Sequence, residues 1–193
     1  MASSLPHPKR LLVSNQTLLS SNDGQAYTEP GVEVLVDTLE PVSVMPQLKR
    51  APVGTHSSIP SSNDGTGREL DTVPGSGIVM PGGANIYYLD FAPGTEVPMH
   101  RTPSTDYVVV VRGTLTVLSP SGPFNVVDGK GSYTEITETI AREGDVVVQR
   151  GAMHAWANRS EEWIRLIGIV LGATPSQVDV AGGKQELGEK WLQ

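Results

Sequence analysis

The 193-residue sequence predicts an all-β protein, and three observations carry that expectation. Gly (21) and Pro (15) are frequent, which calls for many turns. From residue 75 onward, short β-like runs follow one another at close spacing with Gly or Pro at most of the joins. No heptad pattern and no repeat of fixed period is present, which argues against a coiled coil or a solenoid. Several short strands at this spacing are the pattern of a β-sandwich or β-barrel.

The elements follow in chain order. Residues 10–13 and 32–38 read as short strands, separated by turn-rich tracts such as 20–24. Residues 51–74, rich in Ser, Gly, Pro, Asn and Asp, read as a long surface loop, because they have too little apolar surface to bury. Strands are then expected at 78–80, 85–92, 106–112, 114–118, 133–140, 145–149, 154–158 and 163–171. Residues 119–135 form a longer connection than a minimal barrel needs, either a lid at the barrel mouth or a solvated hairpin. Pro175 and Ser176 are expected to open a short helix, and residues 184–193 read as a second. The organisation is an N-terminal extension over 1–74 that packs on the barrel or on a dimer mate, a barrel over 75–172 and a tail over 173–193.

Composition narrows the classes of function. A hydrophobic content of 38% and a charged content of 18% belong to a water-soluble globular chain, long enough for one domain with a substantial core. Lys+Arg 14 against Asp+Glu 21 gives a net charge of -7 with no basic cluster, which excludes a nucleic-acid partner. The chain has no cysteine, so any metal must be held by His, Asp or Glu. The N-terminus lacks the apolar stretch of a signal peptide, and no run approaches the roughly 18 to 20 residues that span a bilayer. A cytoplasmic protein with no membrane association is therefore expected.

Two of the four histidines precede apolar strands. In the stretch 98–113, side-chain alternation puts Asp106, Val108 and Val110 on one strand face and Tyr107, Val109 and Val111 on the other. Counting back in twos brings His100, Thr102 and Ser104 to the face of Asp106, if Pro103 leaves the register intact. In the stretch 143–160, His154, Trp156 and Asn158 share one face. For a single His or Asp at a sheet corner, mutual hydrogen bonding is explanation enough, since an unpartnered buried polar group costs roughly 1 to 3 kcal/mol. Their joint placement favours a site instead.

These spacings resemble the cupin family. Gly94, His100, Asp106 and Gly113 are similar to the first cupin motif, and Gly144, Gly151, His154 and Asn158 to the second, with Arg150 where a proline is usual and one residue fewer between the first glycine and the histidine. The combination is similar to small single-domain cupins of filamentous fungi, several of them encoded among secondary-metabolite biosynthetic genes. The resemblance covers roughly residues 75–172 and implies a double-stranded β-helix, or jelly-roll barrel, whose two motifs line an apolar cavity. In metal-bearing members the first motif's two histidines and glutamate, with the second motif's histidine, hold one divalent ion. His100, Asp106 and His154 match three of those positions, while Thr102 replaces the second histidine.

Two readings stay open. Two imidazoles and a carboxylate suit Fe(II), Zn, Mn or Ni. Alternatively no metal is held, and His100, Asp106 and His154 transfer protons themselves. Trp156, Thr102, Arg101, Tyr107 and Asn158 are expected to contact substrate, with Tyr87 and Phe91 as further walls. Arg101 and Arg150 are candidates for a bidentate grip on a carboxylate. The leading expectation is a lyase or isomerase, performing dehydration, decarboxylation, isomerisation or cyclisation on a polyketide-like or aromatic acid, with His154 the first base to test. The alternatives are an Fe(II)-dependent dioxygenase and a non-catalytic small-ligand-binding module. The apolar faces of 10–13 and 32–36 lead to the expectation of a homodimer.

Overall fold

The computed structural model describes residues 4–16, 28–64 and 70–193; the tract 20–24 and part of the 51–74 stretch lie outside the described residues. Among the described residues every regular element is a strand. In chain order they are β1 (Lys9–Asn15), β2 (Val32–Thr38), β3 (Val42–Met45), β4 (Leu48–His56), β5 (Ala84–Phe91), β6 (His100–Arg101), β7 (Ser104–Arg112), β8 (Thr114–Pro120) and β9 (Val126–Val127). There follow β10 (Lys130–Gly131), β11 (Ile136–Arg142), β12 (Val146–Arg150), β13 (Ala155–Ala157), β14 (Ile164–Gly172), β15 (Ser176–Val180), β16 (Gly183–Leu187) and β17 (Lys190–Trp191).

Two antiparallel layers enclose the core. The larger is a six-stranded sheet in the order β12-β7-β14-β5-β4-β3, and the smaller has the order β11-β8-β13. Residues 95–100 widen the smaller layer by pairing with 154–158: Val97 N donates to Trp156 O at 2.9 Å, and His100 and His154 exchange both backbone bonds at 2.8 Å. The resulting fold is a double-stranded β-helix of jelly-roll form. Alternation of burial is clean on its central strands. On β7, Ser104, Asp106, Val108 and Val110 are buried, and on β14, Ile164, Leu166 and Val170. These pack with Leu89 and Phe91 of β5 against Val97, Met99, Leu115, Ala155 and Trp156 of the other layer. Each fully buried large side chain stabilises the fold by roughly 1.5 to 3 kcal/mol.

The corner between β7 and β8 depends on Gly113. Its φ is +84°, and a Cβ there would stand 2.6 Å from Ile164 Cγ2, so both conformation and space require glycine. Gly168 of β14 acts differently: it lies opposite Tyr87 in register, and a Cβ would meet the tyrosine ring at 3.0 Å. A glycine in mid-strand here leaves room for the ring that walls the site.

Several expectations are corrected. Residues 51–56 belong to β4 rather than to a loop, and β4 pairs with β5 along its length. Pro52 is accommodated because the register shifts between Pro52 and Gly54, a bulge that spares the missing donor. Residues 78–80 form no strand; the chain turns there, with Gly83 N bonding Met80 O at 3.1 Å. The expected C-terminal helices are absent. Residues 176–187 make a hairpin of β15 and β16, because Gly182 at φ +95° turns the chain back, and β17 pairs with β6. Residues 119–135 hold the β9–β10 ribbon, turned at Asp128 and Gly129 with φ of 50° and 75°.

The β1–β2 ribbon is tied to the body by Arg10, whose Nη1 donates to Val53 O at 2.8 Å while its guanidinium pairs with Asp37. The opposite ribbon face exposes Leu11, Val13, Val32, Val34 and Val36. No helix among the described residues is long and apolar enough to cross a membrane.

Candidate active site

A cavity of about 280 Å³ opens between the two layers. Met45, Leu48, Leu89, Phe91, Val97 and Trp156 give it apolar walls, and Arg50, Tyr87, His100, Thr102 and Asp106 bring polar groups to it. Trp191 covers one side. The strand alternation that buries Asp106 runs through Pro103 undisturbed, since His100, Thr102 and Ser104 are all buried too. The turn at Pro103 therefore leaves the inward face intact, and His100, Thr102 and Asp106 border one space together with Trp156.

Both imidazoles have the same tautomer, and the reason is local. His100 Nδ1 lies 2.8 Å from Pro98 O, and His154 Nδ1 lies 2.9 Å from Ala152 O. A carbonyl accepts only, so Nδ1 carries the proton in each ring and Nε2 presents a lone pair. The ring centroids are 4.4 Å apart. Burial holds the His100 pKa below the ordinary value, and burial together with the neighbouring His100 pushes His154 down to about 4. Both are neutral at pH 7. Trp191 stacks on His100 with centroids 4.2 Å apart and planes 2° from parallel.

Asp106 behaves in the opposite sense. Burial raises its carboxyl to about 6, against a smaller lowering by the hydroxyl of Ser104. Among the described residues its Oδ1 has no hydrogen-bond partner, a condition it shares with the buried atoms His154 Nε2 and Trp156 Nε1. Tyr87 is fully enclosed. Its phenol is raised well above its usual range, first by burial and then by Asp106, with Arg50 opposing. It thus remains a donor at any ordinary pH.

The placement of the remaining candidates is mixed. His154 does not border the cavity but packs behind His100 and Trp156, which do. The wall is therefore met at His100 before His154. Thr102 lines the cavity with its hydroxyl bonded to Ser104 Oγ at 2.9 Å. Tyr107 is corrected: it is 41% exposed on the outer sheet face, one residue out of phase with Asp106. Asn158 is corrected as well. It is enclosed, its amide donates to Phe91 O, Ala92 O and Glu162 O, and its Oδ1 accepts from Ser160, so it closes a turn and has nothing left for substrate. Arg101 donates to Gly188 O at 2.9 Å and holds the tail, while Arg150 is exposed on β12. Neither borders the cavity. Residues 119–135 do not line it either.

Sequence reasoning missed Arg50 and Trp191. Leu48 and Arg50 stand two apart on β4 and both face the cavity, a period-two signal that the Ser-, Gly- and Pro-rich tract from residue 51 onward hides. Trp191 sat in a polar tail with no strand pattern around it.

In metal-bearing cupins the corresponding positions hold a divalent ion, and the side chains present here do not fit one. Among the described residues no group of three or more His, Cys, Asp or Glu side chains comes together closely enough to hold an ion. The three-ligand set of His100, Asp106 and His154 is thus not assembled, and Thr102, in the place of a fourth ligand, offers a hydroxyl already bonded to Ser104.

No family model matches the chain. It is 38% identical to phomopsin biosynthesis cluster protein D of Diaporthe leptostromiformis over 122 residues, 62% of this chain and 56% of that protein. With oryzines biosynthesis cluster protein J of Aspergillus oryzae it shares 38% over 112 residues, 58% of this chain and 52% of the relative. With the cupin-domain-containing oxidoreductase fogC of Aspergillus ruber it shares 37% over 82 residues, 42% of this chain and 34% of that one. The chain is similar to cupin-domain proteins. These relatives include proteins of fungal biosynthesis clusters, and the chain spans about half the length of the curated relatives it matches first. Among solved structures, recombinant oxalate oxidase in complex with glycolate overlaps 45% of this chain and 41% of its own, at 26% identity and a TM-score of 0.35.

Proposed function

We propose that this chain is a cupin-type acid–base enzyme of the lyase or isomerase type, acting on an apolar, polyketide-like or aromatic small molecule of secondary metabolism. The observation that carries the reading is the Asp106 carboxyl: enclosed, lining an apolar cavity, with one oxygen unpartnered and its pKa raised to about 6. A group titrating there is ionised at neutral pH yet basic enough to take a proton, and readily gives it back.

The chemistry follows from the donors and acceptors around the cavity. Ionised Asp106 accepts the proton of a carbon next to a substrate carbonyl, and the C–H electron pair moves to form an enolate. The Tyr87 hydroxyl donates a hydrogen bond to the enolate oxygen, in surroundings from which water is largely excluded. Protonated Asp106 then returns the proton to a different carbon, which is isomerisation, or to a departing hydroxyl, which leaves as water. His100 Nε2, held as an acceptor by the Nδ1 bond to Pro98, orients a substrate hydroxyl.

The test is carbon–hydrogen exchange in deuterated water, followed by NMR with 3-benzoylpropionate and phenylacetone as enolisable aryl probes. The wild-type protein is expected to exchange the protons next to the carbonyl at a rate that rises with pH through about 6. Asp106→Asn is expected to lose on the order of 10²- to 10⁴-fold. Exchange at the wild-type rate in Asp106→Asn would remove Asp106 from the chemistry. A second reading, oxidation, has in its favour the name oxidoreductase carried by relatives such as fogC. Turnover that requires dissolved oxygen and added iron would establish it in place of acid–base chemistry.

A further inference from the structure

The cavity has one charged cation among its lining residues, and it lies far in sequence from both motifs. Arg50 projects from β4 into the space walled by Leu48, Leu89, Phe91 and Tyr87. Its Nη1 donates to Gly77 O at 2.8 Å, and its guanidinium carbon stands 5.4 Å from the centre of the Tyr87 ring. These two contacts fix the plane of the group without neutralising it. Among the described residues no carboxylate pairs with Arg50, although Arg10, Arg159 and Arg165 each have an acidic partner. Arg50 is therefore an oriented guanidinium with donors to spare, at the edge of an apolar cavity.

Such a group is matched by a planar anion. A carboxylate moved from water into an apolar site without a counter-charge is opposed by several kcal/mol, and a bidentate guanidinium pair offsets that opposition with fixed geometry. Tyr87, 5.4 Å from the Arg50 guanidinium carbon, lines the same cavity as Asp106. A ligand held by its carboxylate at Arg50 would lay its apolar body along Leu89, Phe91 and Trp156, toward Asp106 and His100.

We propose that Arg50 is the carboxylate-binding subsite of the cavity, and that the substrate is an apolar carboxylic acid. This rests on the acid–base reading for the role of Asp106, but Arg50 binding is measurable without turnover.

Isothermal titration of the full chain with cinnamate and with its uncharged counterpart cinnamamide tests it. The wild-type protein is expected to bind cinnamate at least about ten-fold more tightly than cinnamamide. Arg50→Gln is expected to lose that preference while its affinity for cinnamamide is unchanged. Arg50→Lys, which keeps the charge and a donor to Gly77 O, is expected to fall between the two and to carry the test if Arg50→Gln does not fold. Asp106→Asn is expected to bind cinnamate at least as well as the wild type. The proposal is overturned if the wild type binds neither probe, if it binds the two equally, or if the Arg50 variants retain the full preference. Loss of the preference in Arg50→Gln together with undiminished proton exchange in Asp106→Asn would uphold the subsite and reject the acid–base reading. The converse pair of results would do the opposite.

Discussion

Asp106 illustrates how a residue placed for chemistry weakens the fold that holds it. Its carboxyl titrates near 6 in the folded chain and near 3.8 when unfolded, so the folded state binds the proton more tightly. Stability therefore falls as pH rises from about 4 through about 6, by roughly 3 kcal/mol at most, and stays lowered above that window. His154 works the other way. Its pKa falls from 6.5 to about 4 on folding, so its contribution is lost as pH drops through that interval. Between pH 4 and 6 the two effects oppose each other. Asp106→Asn removes only the first, and it is expected to be more stable than the wild type by about 1 to 3 kcal/mol at pH 7 to 8, with the advantage gone by pH 4. Urea unfolding across that pH range measures it, and an Asn variant equal to or weaker than the wild type at pH 8 would contradict the raised carboxyl. Alternation along β7 is enough to turn Asp106 inward and Tyr107 outward; what alternation lacks is the identity of the opposing layer, and so the ligand role expected of Asn158 is precluded by its three carbonyl partners.

The C-terminal segment is the element on which pattern reading failed and whose placement matters most to the site. Strand β17 contributes two residues to the pairing with β6, yet it brings Trp191 onto the His100 ring and seats Leu192 in the core, with Leu192 N bonded to Met99 O at 2.8 Å. Gln193 N bonds Gly129 O at 2.9 Å, so the β9–β10 ribbon steadies the tail instead of covering the cavity. Desolvation is the leading cause of the lowered His100 pKa, and the stacked indole supplies part of that cover. Trp191→Ala is expected to admit water, and the His100 pKa should move up toward 6.5 while His154, enclosed behind it, stays low. Titration of the ring nitrogens by NMR reads both in one sample; an unmoved His100 would mean that the rest of the wall desolvates it. Two-residue strands carry no periodicity, which is why residues 184–193 offered no strand signal to read.

At the scale of the whole molecule, nearly every pairing that builds the site joins distant parts of the chain. Strand β14 lies between β5 and β7, and β17 returns to β6 from the far end of the sequence. Loops of this length must close before their contacts stabilise anything, which slows folding. Refolding from urea is expected on the millisecond-to-second scale, and stopped-flow tryptophan fluorescence would show it; complete recovery in microseconds would be inconsistent with this topology. The same non-local order separates what the sequence by itself determined from what tertiary structure decided. Turn frequency, the run of short strands, the two motifs and the inward face of His100, Thr102 and Asp106 are local properties, since strand alternation and turn chemistry act over a few residues. The company those residues keep is not local. Arg50 reaches the cavity because β4 pairs with β5 across a bulge at Pro52, Trp191 because the tail doubles back, and His154 falls behind His100 because two strand edges meet there. Those placements follow from how separated segments pack against one another, which no short window of sequence records.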